Sequence, residues 1–173
     1  RPLHQTVWRL APALACGNSV IVKAPFETPL STFALSQVID TLVQAGPIPK
    51  GLVNFVFGEG PVVGQALASH RAIGALALVG GNSAAASVMA AAAAASSMKK
   101  NKVDVGDNHA MVDAPDAALD ALLPVAITAA FKCDAGQRAH SLGRLVLHAD
   151  VADTFLAAFL KAAAELKMGD PLD

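Results

Sequence analysis

The chain has 173 residues, of which 54% are hydrophobic and 16% are charged, and this composition excludes an intrinsically disordered protein. The formal net charge of -1 excludes an electrostatic nucleic-acid binder, since such a protein needs a clustered positive face. The alanine- and serine-rich stretch 84–98 is too short to span a bilayer, so we expect no membrane insertion.

The first half of the chain alternates between helix and strand patterns. Apolar spacing predicts a helix that ends at Cys16 before Gly17, and another that runs from Thr28 to Gly46 with Pro29 in its first turn. Further helices are predicted at 61–70 and 82–97, and strands at 19–22, 52–57 and 73–79. Strands separated by helices are typical of a parallel sheet with helices on both faces. The predicted fold class is therefore α/β, with a doubly wound parallel sheet.

The pattern changes after the basic cluster of Lys99, Lys100 and Lys102, which we interpret as a solvated turn after a helix. Extended pieces are predicted around Val103 and Met111. A helix is predicted over 116–131, a strand over 144–148 and a last helix over 151–166, with Asp116 as the N-cap of the first of these helices. We place a domain boundary near Lys100, which gives parts 1–100 and 101–173.

The two cysteines, Cys16 and Cys133, form no CxxC pair. This spacing indicates neither a disulfide framework nor a zinc site, and it favours a reducing compartment. The chain opens at Arg1 inside a predicted helix, with no signal-peptide pattern. We therefore expect a piece of a longer protein, whose exposed sheet edges and apolar faces would be covered by other chains.

Four segments share their order and spacing with a known family: 8–18, 22–30, 51–60 and 166–173. Together they resemble the aldehyde dehydrogenase superfamily, and Asn108-His109 with 135–138 resembles its methylmalonate-semialdehyde dehydrogenase branch. The resemblance implies a partial doubly wound fold of aldehyde-dehydrogenase type. Residues 1–100 would be the later part of a nucleotide-binding domain, and residues 101–173 would begin a catalytic domain.

The resemblance also locates the family's catalytic nucleophile, a cysteine two residues after a Gly-Gln pair. After Gly136 and Gln137 that position holds Ala139, whose methyl group cannot form a thiohemiacetal with an aldehyde. His140, the next residue, is a weak substitute. Cys133, six residues earlier, is either a shifted thiol or a structural, partly buried cysteine.

The family's general-base glutamate corresponds by resemblance to Asp104. Aspartate keeps the charge but has a shorter reach, and the methylmalonate-semialdehyde branch lacks this glutamate. Asp104 is therefore either a shortened base or a solvated or hydrogen-bonded strand residue.

The cofactor positions implied by the resemblance differ in how well they are kept. Lys23 matches the lysine used at the adenosine ribose, whereas the acidic ribose position falls on Phe26, with Glu27 displaced by one. The phosphate turn corresponds to Gly80, Gly81 and Ala85, where a glycine turn before a helix N-terminus suits phosphate but is also a plain tight turn. We expect NAD binding to be weakened by these changes.

Three functions follow from these residues. The first is a catalytically inactive aldehyde-dehydrogenase-like subunit, structural or scaffolding, held with other protein subunits or in a homo-oligomer. The alternative is an NAD-dependent aldehyde or semialdehyde dehydrogenase, present as a fragment or variant that works through a thiohemiacetal. A third is a regulatory nucleotide binder. Similarity to the semialdehyde branch implies the mitochondrial matrix, with the cytoplasm as the other location.

Overall fold

The computed structural model describes residues 1–95, 98–106 and 108–170. The chain divides into two compact units, Arg1–Val105 and Gly106–Asp173. The first unit contains helices α1 (Pro2–Ala15), α2 (Leu30–Ala45), α3 (Gln65–Ser69) and α4 (Asn82–Ala94), and strands β1 (Val20–Lys23), β2 (Val53–Val56), β3 (Ala75–Gly80) and β4 (Lys100–Val105). The second unit contains β5 (His109–Val112), α5 (Leu119–Ile127), β6 (Leu142–Val146) and α6 (Ala149–Ala164).

The strands pair in parallel, as the alternation of helices and strands predicts. In the first unit β1 pairs with β2, from Val20 opposite Val53 to Lys23 opposite Val56, and β3 pairs with β4, from Ala75 opposite Lys100 to Gly80 opposite Val105. In the second unit β5 pairs with β6, with an irregularity between His109 and Ala110. A parallel pair needs a crossover, and a helix lies between the two strands of each pair. The predicted α/β class with parallel strands and helices is confirmed.

The core of the first unit joins α1, α2 and β2. Leu10, Ile39 and Val53 are buried together, and partly buried apolar side chains such as Leu14 and Val22 pack against them. Helix α1 ends at Ala15, and Gly17, two residues later, adopts a φ of +77°, a conformation that suits glycine after a helix C-terminus. The amide of Asn18 then donates to the carbonyl of Ala13 at 3.1 Å. This packing places α1 and α2 against β1 and β2.

The second unit is built around α5 and α6. Phe155 is the largest fully buried apolar side chain among the described residues, and Ala126 and Ile127 of α5 are also buried. Phe155 stacks on Phe159 with ring centroids 6.0 Å apart. One face of α6 is thus buried, whereas Leu160 is exposed.

Two predictions about local structure are wrong. Asp116 does not cap α5, because a turn closed by the Ala117 amide and the Ala114 carbonyl at 3.0 Å delays the helix to Leu119, after Ala118. Strand β6 ends at Val146, and His148 instead caps α6 by accepting a hydrogen bond from the Asp150 amide at 3.3 Å.

The basic cluster also differs from its interpretation as a solvated turn. Lys100 and Lys102 lie on strand β4. The ammonium of Lys99 donates to the carbonyl oxygens of His70 and Ile73, the latter at 2.8 Å, and so ties the start of β4 to the loop before β3. The predicted end of α4 at residue 97 lies outside the described residues. No described helix has the length and apolar character needed to cross a membrane.

Candidate functional site

The end of β1 presents a lysine that has no partner among the described residues. Lys23 is the last residue of the strand and is half-buried. The next residue, Ala24, is buried, and its amide donates to the Val56 carbonyl at 3.1 Å, which continues the pairing with β2. Within the described part of the chain the Lys23 ammonium makes no hydrogen bond or ion pair. The end of β1 therefore carries a positive charge that no described residue neutralises.

An apolar groove of about 330 Å³ follows the carboxyl ends of β1 and β2. We call it the β1–β2 groove and define it by the side chains of Phe26, Leu30, Phe33 and Phe57. Phe33 and Phe57 meet edge to face with centroids 6.0 Å apart, and Phe26 is 55% exposed. Glu27 is exposed and does not line the groove. Phe26 thus places an aromatic ring where the family resemblance implies a carboxylate.

The end of β3 forms a glycine turn into α4. Gly80 closes the strand, and Gly81 precedes α4 in an extended conformation with no side-chain cap. The first turn of α4 holds no acidic residue, so its N-terminal amides and the positive end of the helix dipole are available to an anion. A Cβ at Gly81 would meet nothing within 4 Å. This turn fits a phosphate group.

Ala85 stands at the third position of the implied phosphate turn. Its amide donates to the Gly81 carbonyl at 3.0 Å, as in a regular first helical turn. The residue is 5% exposed, so its methyl group is covered by the protein. The added methyl group therefore does not occupy the open space beside Gly81.

Asp104 lies on β4 opposite Val79 of β3. Its carboxylate accepts a hydrogen bond from the guanidinium of Arg9 in α1, and the ammonium of Lys102 lies 3.5 Å away. The Arg9 guanidinium also lies over the Trp8 ring, 5.6 Å from its centroid. The carboxylate is thus engaged by two cations. To act as a base, it would have to leave the ion pair with Arg9.

Arg9 is a residue of this site that the sequence reasoning missed. Its only signal was its place between Trp8 and Leu10 in the segment that carries the family resemblance. Nothing in the spacing of α1 and β4, which are separated by 84 residues between Ala15 and Lys100, predicts that their side chains meet.

The loop that holds the implied nucleophile position is tightly wound. After a π-helical turn at Thr128–Lys132 and Cys133, three consecutive residues adopt positive φ: Asp134 at 53°, Ala135 at 54° and Gly136 at 76°. Arg138 donates from Nε to the Asp134 carboxylate at 2.7 Å. This hydrogen bond raises the pKa of Arg138, and the negative charge of a Cys133 thiolate acts in the same direction. Cys133 is partly exposed.

Ala139 and His140 follow in a turn closed by Arg138 and Ser141. The Ser141 amide donates to the Arg138 carbonyl at 3.0 Å, and the Arg138 amide donates to the Ser141 hydroxyl at 3.2 Å. Ala139 and His140 are both exposed. The implied nucleophile position is thus a surface methyl group in a defined turn, and its role stays a prediction.

Metal chemistry has no candidate ligands in the described part of the chain. Among residues 1–95, 98–106 and 108–170, no group of three or more His, Cys, Asp or Glu side chains is arranged to hold a metal ion. The features that the fold brings to strand ends are Lys23, the β1–β2 groove and the Gly80-Gly81 turn. Each follows the carboxyl end of a parallel strand, where open α/β sheets bind ligands.

A parallel α/β unit with a lysine and a glycine turn at its strand ends has the architecture on which dinucleotide sites are commonly built. The profile of the aldehyde dehydrogenase family matches residues 1–173. The chain belongs to the aldehyde dehydrogenase family, which confirms the resemblance carried by the sequence segments.

Three relatives illustrate the similarity. Betaine aldehyde dehydrogenase 2 of Rhizobium meliloti is 37% identical over 172 residues, which are 99% of this chain and 34% of that protein. A cysteine-to-alanine mutant of aldehyde dehydrogenase C from Pseudomonas syringae, in complex with NAD⁺ and octanal, is 32% identical with a TM-score of 0.88 and covers 99% and 34% of the two chains. The glyceraldehyde-3-phosphate dehydrogenase GapN of Methanocaldococcus jannaschii, complexed with NADP, is 26% identical with a TM-score of 0.90, over 99% and 37%. The chain spans about a third of the length of such relatives.

Proposed function

We propose that the protein containing this chain oxidises an aldehyde with a nicotinamide dinucleotide as hydride acceptor. The observation that supports this is an available cation at the end of β1 and an uncapped glycine turn at the end of β3, at Lys23 and Gly80-Gly81. Both lie in a chain that the family profile matches throughout. Relatives named as dehydrogenases of betaine aldehyde, lactaldehyde and semialdehydes support the same reaction class.

In this proposal the residues of the first unit hold the cofactor. Lys23 binds an oxygen of the adenosine ribose or a phosphate on it, and the amides at the start of α4, after Gly81, bind the pyrophosphate. When bound, the nicotinamide supplies the acceptor for the hydride of the aldehyde. Oxidation of the aldehyde through a thiohemiacetal needs a nucleophilic side chain, and the methyl group of Ala139 is not nucleophilic.

The proposal assigns the nucleophile to Cys133, the thiol that enters the same loop. Cys133 is partly exposed and precedes Arg138 by five residues in this loop. The thiolate is the reactive form of cysteine. Attack of this sulfur on the aldehyde carbon would form a thiohemiacetal, and loss of its hydride to a nicotinamide would leave a thioester. Water would then cleave the thioester to release the carboxylic acid and the free thiol.

A second candidate function is a catalytically silent subunit. The specific observation in its favour is the exposed methyl group of Ala139, two residues after Gln137. Ligand binding need not be lost with a thiol, since the cysteine-to-alanine mutant of the Pseudomonas syringae relative holds both NAD⁺ and octanal. Such a subunit would bind its ligands or partner chains without oxidising an aldehyde.

One experiment separates the two functions. Purified protein is incubated with NAD or NADP and a panel of aldehydes, and reduced dinucleotide is followed by absorbance, in the wild type and in the Cys133→Ser and Ala139→Cys variants. Turnover by the wild type that Cys133→Ser abolishes is the expected result. A silent wild type that gains turnover on Ala139→Cys contradicts oxidation and supports the silent subunit. Dinucleotide binding without turnover in any of the three proteins supports a regulatory nucleotide binder instead.

A further inference from the structure

The loop over residues 133–138 has a backbone that non-glycine residues rarely adopt. Asp134 and Ala135, with φ of 53° and 54°, are the only non-glycine residues of positive φ in the described part of the chain. Aspartate tolerates the left-handed region because its short polar side chain can hydrogen-bond locally, whereas alanine has no such compensation. Gly136 follows with a φ of +76°, and a Cβ there would lie 2.6 Å from the Ala130 carbonyl oxygen. The turn is therefore strained at Ala135 and needs contacts that hold it.

The backbone hydrogen bonds of the loop do not by themselves select the left-handed turn. The Gly136 amide donates to the Cys133 carbonyl at 3.1 Å, and the Gln137 amide donates to the Asp134 carbonyl at 3.0 Å. Bonds of this span also close ordinary right-handed turns and 3₁₀ helices. A further contact must therefore favour the left-handed form.

The ion pair of Asp134 and Arg138 supplies that contact. Arg138 Nε donates to the Asp134 carboxylate at 2.7 Å, and the two side chains are partly buried. The backbone of Arg138 is fixed on its other side, since its amide donates to the Ser141 hydroxyl and its carbonyl accepts from the Ser141 amide. The strained residue 135 thus lies between a carboxylate and a guanidinium that are joined by a charge-assisted hydrogen bond.

We propose that the Asp134–Arg138 pair holds Ala135 in the left-handed conformation and thereby positions the thiol of Cys133, the residue directly before the pair. Asp134 and Arg138 are positioning residues, since they act on Cys133 through the backbone. Without the pair, the loop samples the ordinary conformations of Ala135, and a half-buried thiol is then exposed more often. The consequence for aldehyde oxidation rests on the proposed function, whereas the consequence for exposure of the thiol does not.

The rate at which iodoacetamide alkylates Cys133 tests this role, in a Cys16→Ser background because Cys16 is exposed. The rate is followed with rising pH to its plateau, where the thiol is ionised throughout and the rate reports access to the sulfur. We expect Arg138→Gln and Asp134→Asn each to raise the plateau rate by about threefold or more, the size of a partly buried ion pair. If the two residues act only through their charges, the two variants change the rate in opposite directions. Opposite changes, or no change, overturn the proposal.

Two further substitutions test whether the pair acts through the strained turn. Lys132→Gln removes an exposed cation next to Cys133 without breaking the pair, and we expect it to change the plateau rate by less than about twofold. Glycine adopts positive φ without strain, so Arg138→Gln should raise the rate less in an Ala135→Gly background than in its absence. Equal increases in the two backgrounds overturn the proposal.

Urea denaturation and turnover of the same proteins complete the test. An increase in labelling that equals the rise in the unfolding equilibrium constant in every variant comes from global unfolding and overturns the positioning role. In a wild type that oxidises aldehydes, both pair variants are expected to lower kcat and to leave the KM of the dinucleotide unchanged. A wild type without turnover contradicts the proposed function, and the expected labelling rates then still support the positioning role. Unchanged labelling in an active protein overturns the positioning role and leaves the proposed function standing.

Discussion

The Arg9 guanidinium of α1 and the Asp104 carboxylate of β4 form a partly buried ion pair that joins the first helix of the unit to its last strand. Arg9 Nε is buried without a hydrogen-bond acceptor in the described structure, so the interaction runs through the terminal nitrogens. Asp104 is held by this pair on the edge strand of the β3–β4 ladder. The position that resembles the family's general base thus carries a structural contact.

Removal of Arg9 is expected to destabilise the protein. Arg9→Met keeps the apolar stem but leaves Asp104 with only the more exposed Lys102, and we expect a loss of about 1–2 kcal/mol in the free energy of unfolding. Lys102 is 73% exposed, so Lys102→Met is the matched control, with an expected loss of less than about 0.5 kcal/mol. Urea denaturation measures both. Equal losses of unfolding free energy in the two variants would show that the Arg9–Asp104 pair stabilises the protein no more than the Lys102–Asp104 pair does.

Gly136 is expected to tolerate no side chain. Its φ is +76°, and a Cβ there would lie 2.6 Å from the Ala130 carbonyl oxygen, so Gly136→Ala is both strained and overpacked. We expect a loss of about 2 kcal/mol or more in unfolding free energy. Gly74, which has an ordinary φ and open space where a Cβ would lie, is the control, with a change of about 0.5 kcal/mol or less for Gly74→Ala. If Gly136→Ala lowers the unfolding free energy no more than Gly74→Ala does, the loop relaxes away from Ala130.

The N-terminal caps of α5 and α6 test whether the sequence pattern or the structure identifies the residue that caps each helix. His148 accepts from the Asp150 amide, so His148→Ala is expected to cost about 1 kcal/mol of unfolding free energy. Asp116 caps nothing in the structure, and Asp116→Ala is expected to change stability by about 0.5 kcal/mol or less. Thermal or urea unfolding checks both. A larger cost for Asp116→Ala would restore the helix start that the sequence pattern predicts.

The difference between these two caps illustrates what the sequence can predict. Apolar periodicity and glycines located the helices and strands of both units, because these signals act within one element. The start of α5 was missed because Pro115 and the 114–117 turn compete locally with the capping preference of Asp116. Lys99, which binds carbonyls of the His70–Ile73 loop, and Arg9, which binds Asp104, were missed because their partners are remote in sequence.

The features of the candidate site also differ in whether the sequence alone reveals them. The positions of Lys23, Gly80 and Gly81 were available from the sequence through the family resemblance, and each lies at or directly after the end of a predicted strand. The β1–β2 groove was not, because it requires Phe26, Phe33 and Phe57 from separate segments to meet. Its apolar character becomes visible only when the parallel pairing of β1 and β2 brings their carboxyl ends side by side.

A carboxylate at Gly81 would separate the stability of α4 from its anion binding. Gly81→Asp places an N-cap acceptor and a negative charge at a helix start that has neither, so we expect the protein to gain about 0.5–1 kcal/mol in unfolding free energy. The same charge would occupy the place of the pyrophosphate, and we expect dinucleotide affinity to fall by about tenfold or more. Gly81→Ser, which caps without a charge, is the control and should keep most of the affinity. Urea denaturation and calorimetric titration of the three proteins measure the two effects. If Gly81→Asp binds the dinucleotide as well as the wild type does, the Gly80-Gly81 turn is a plain tight turn and the phosphate lies elsewhere.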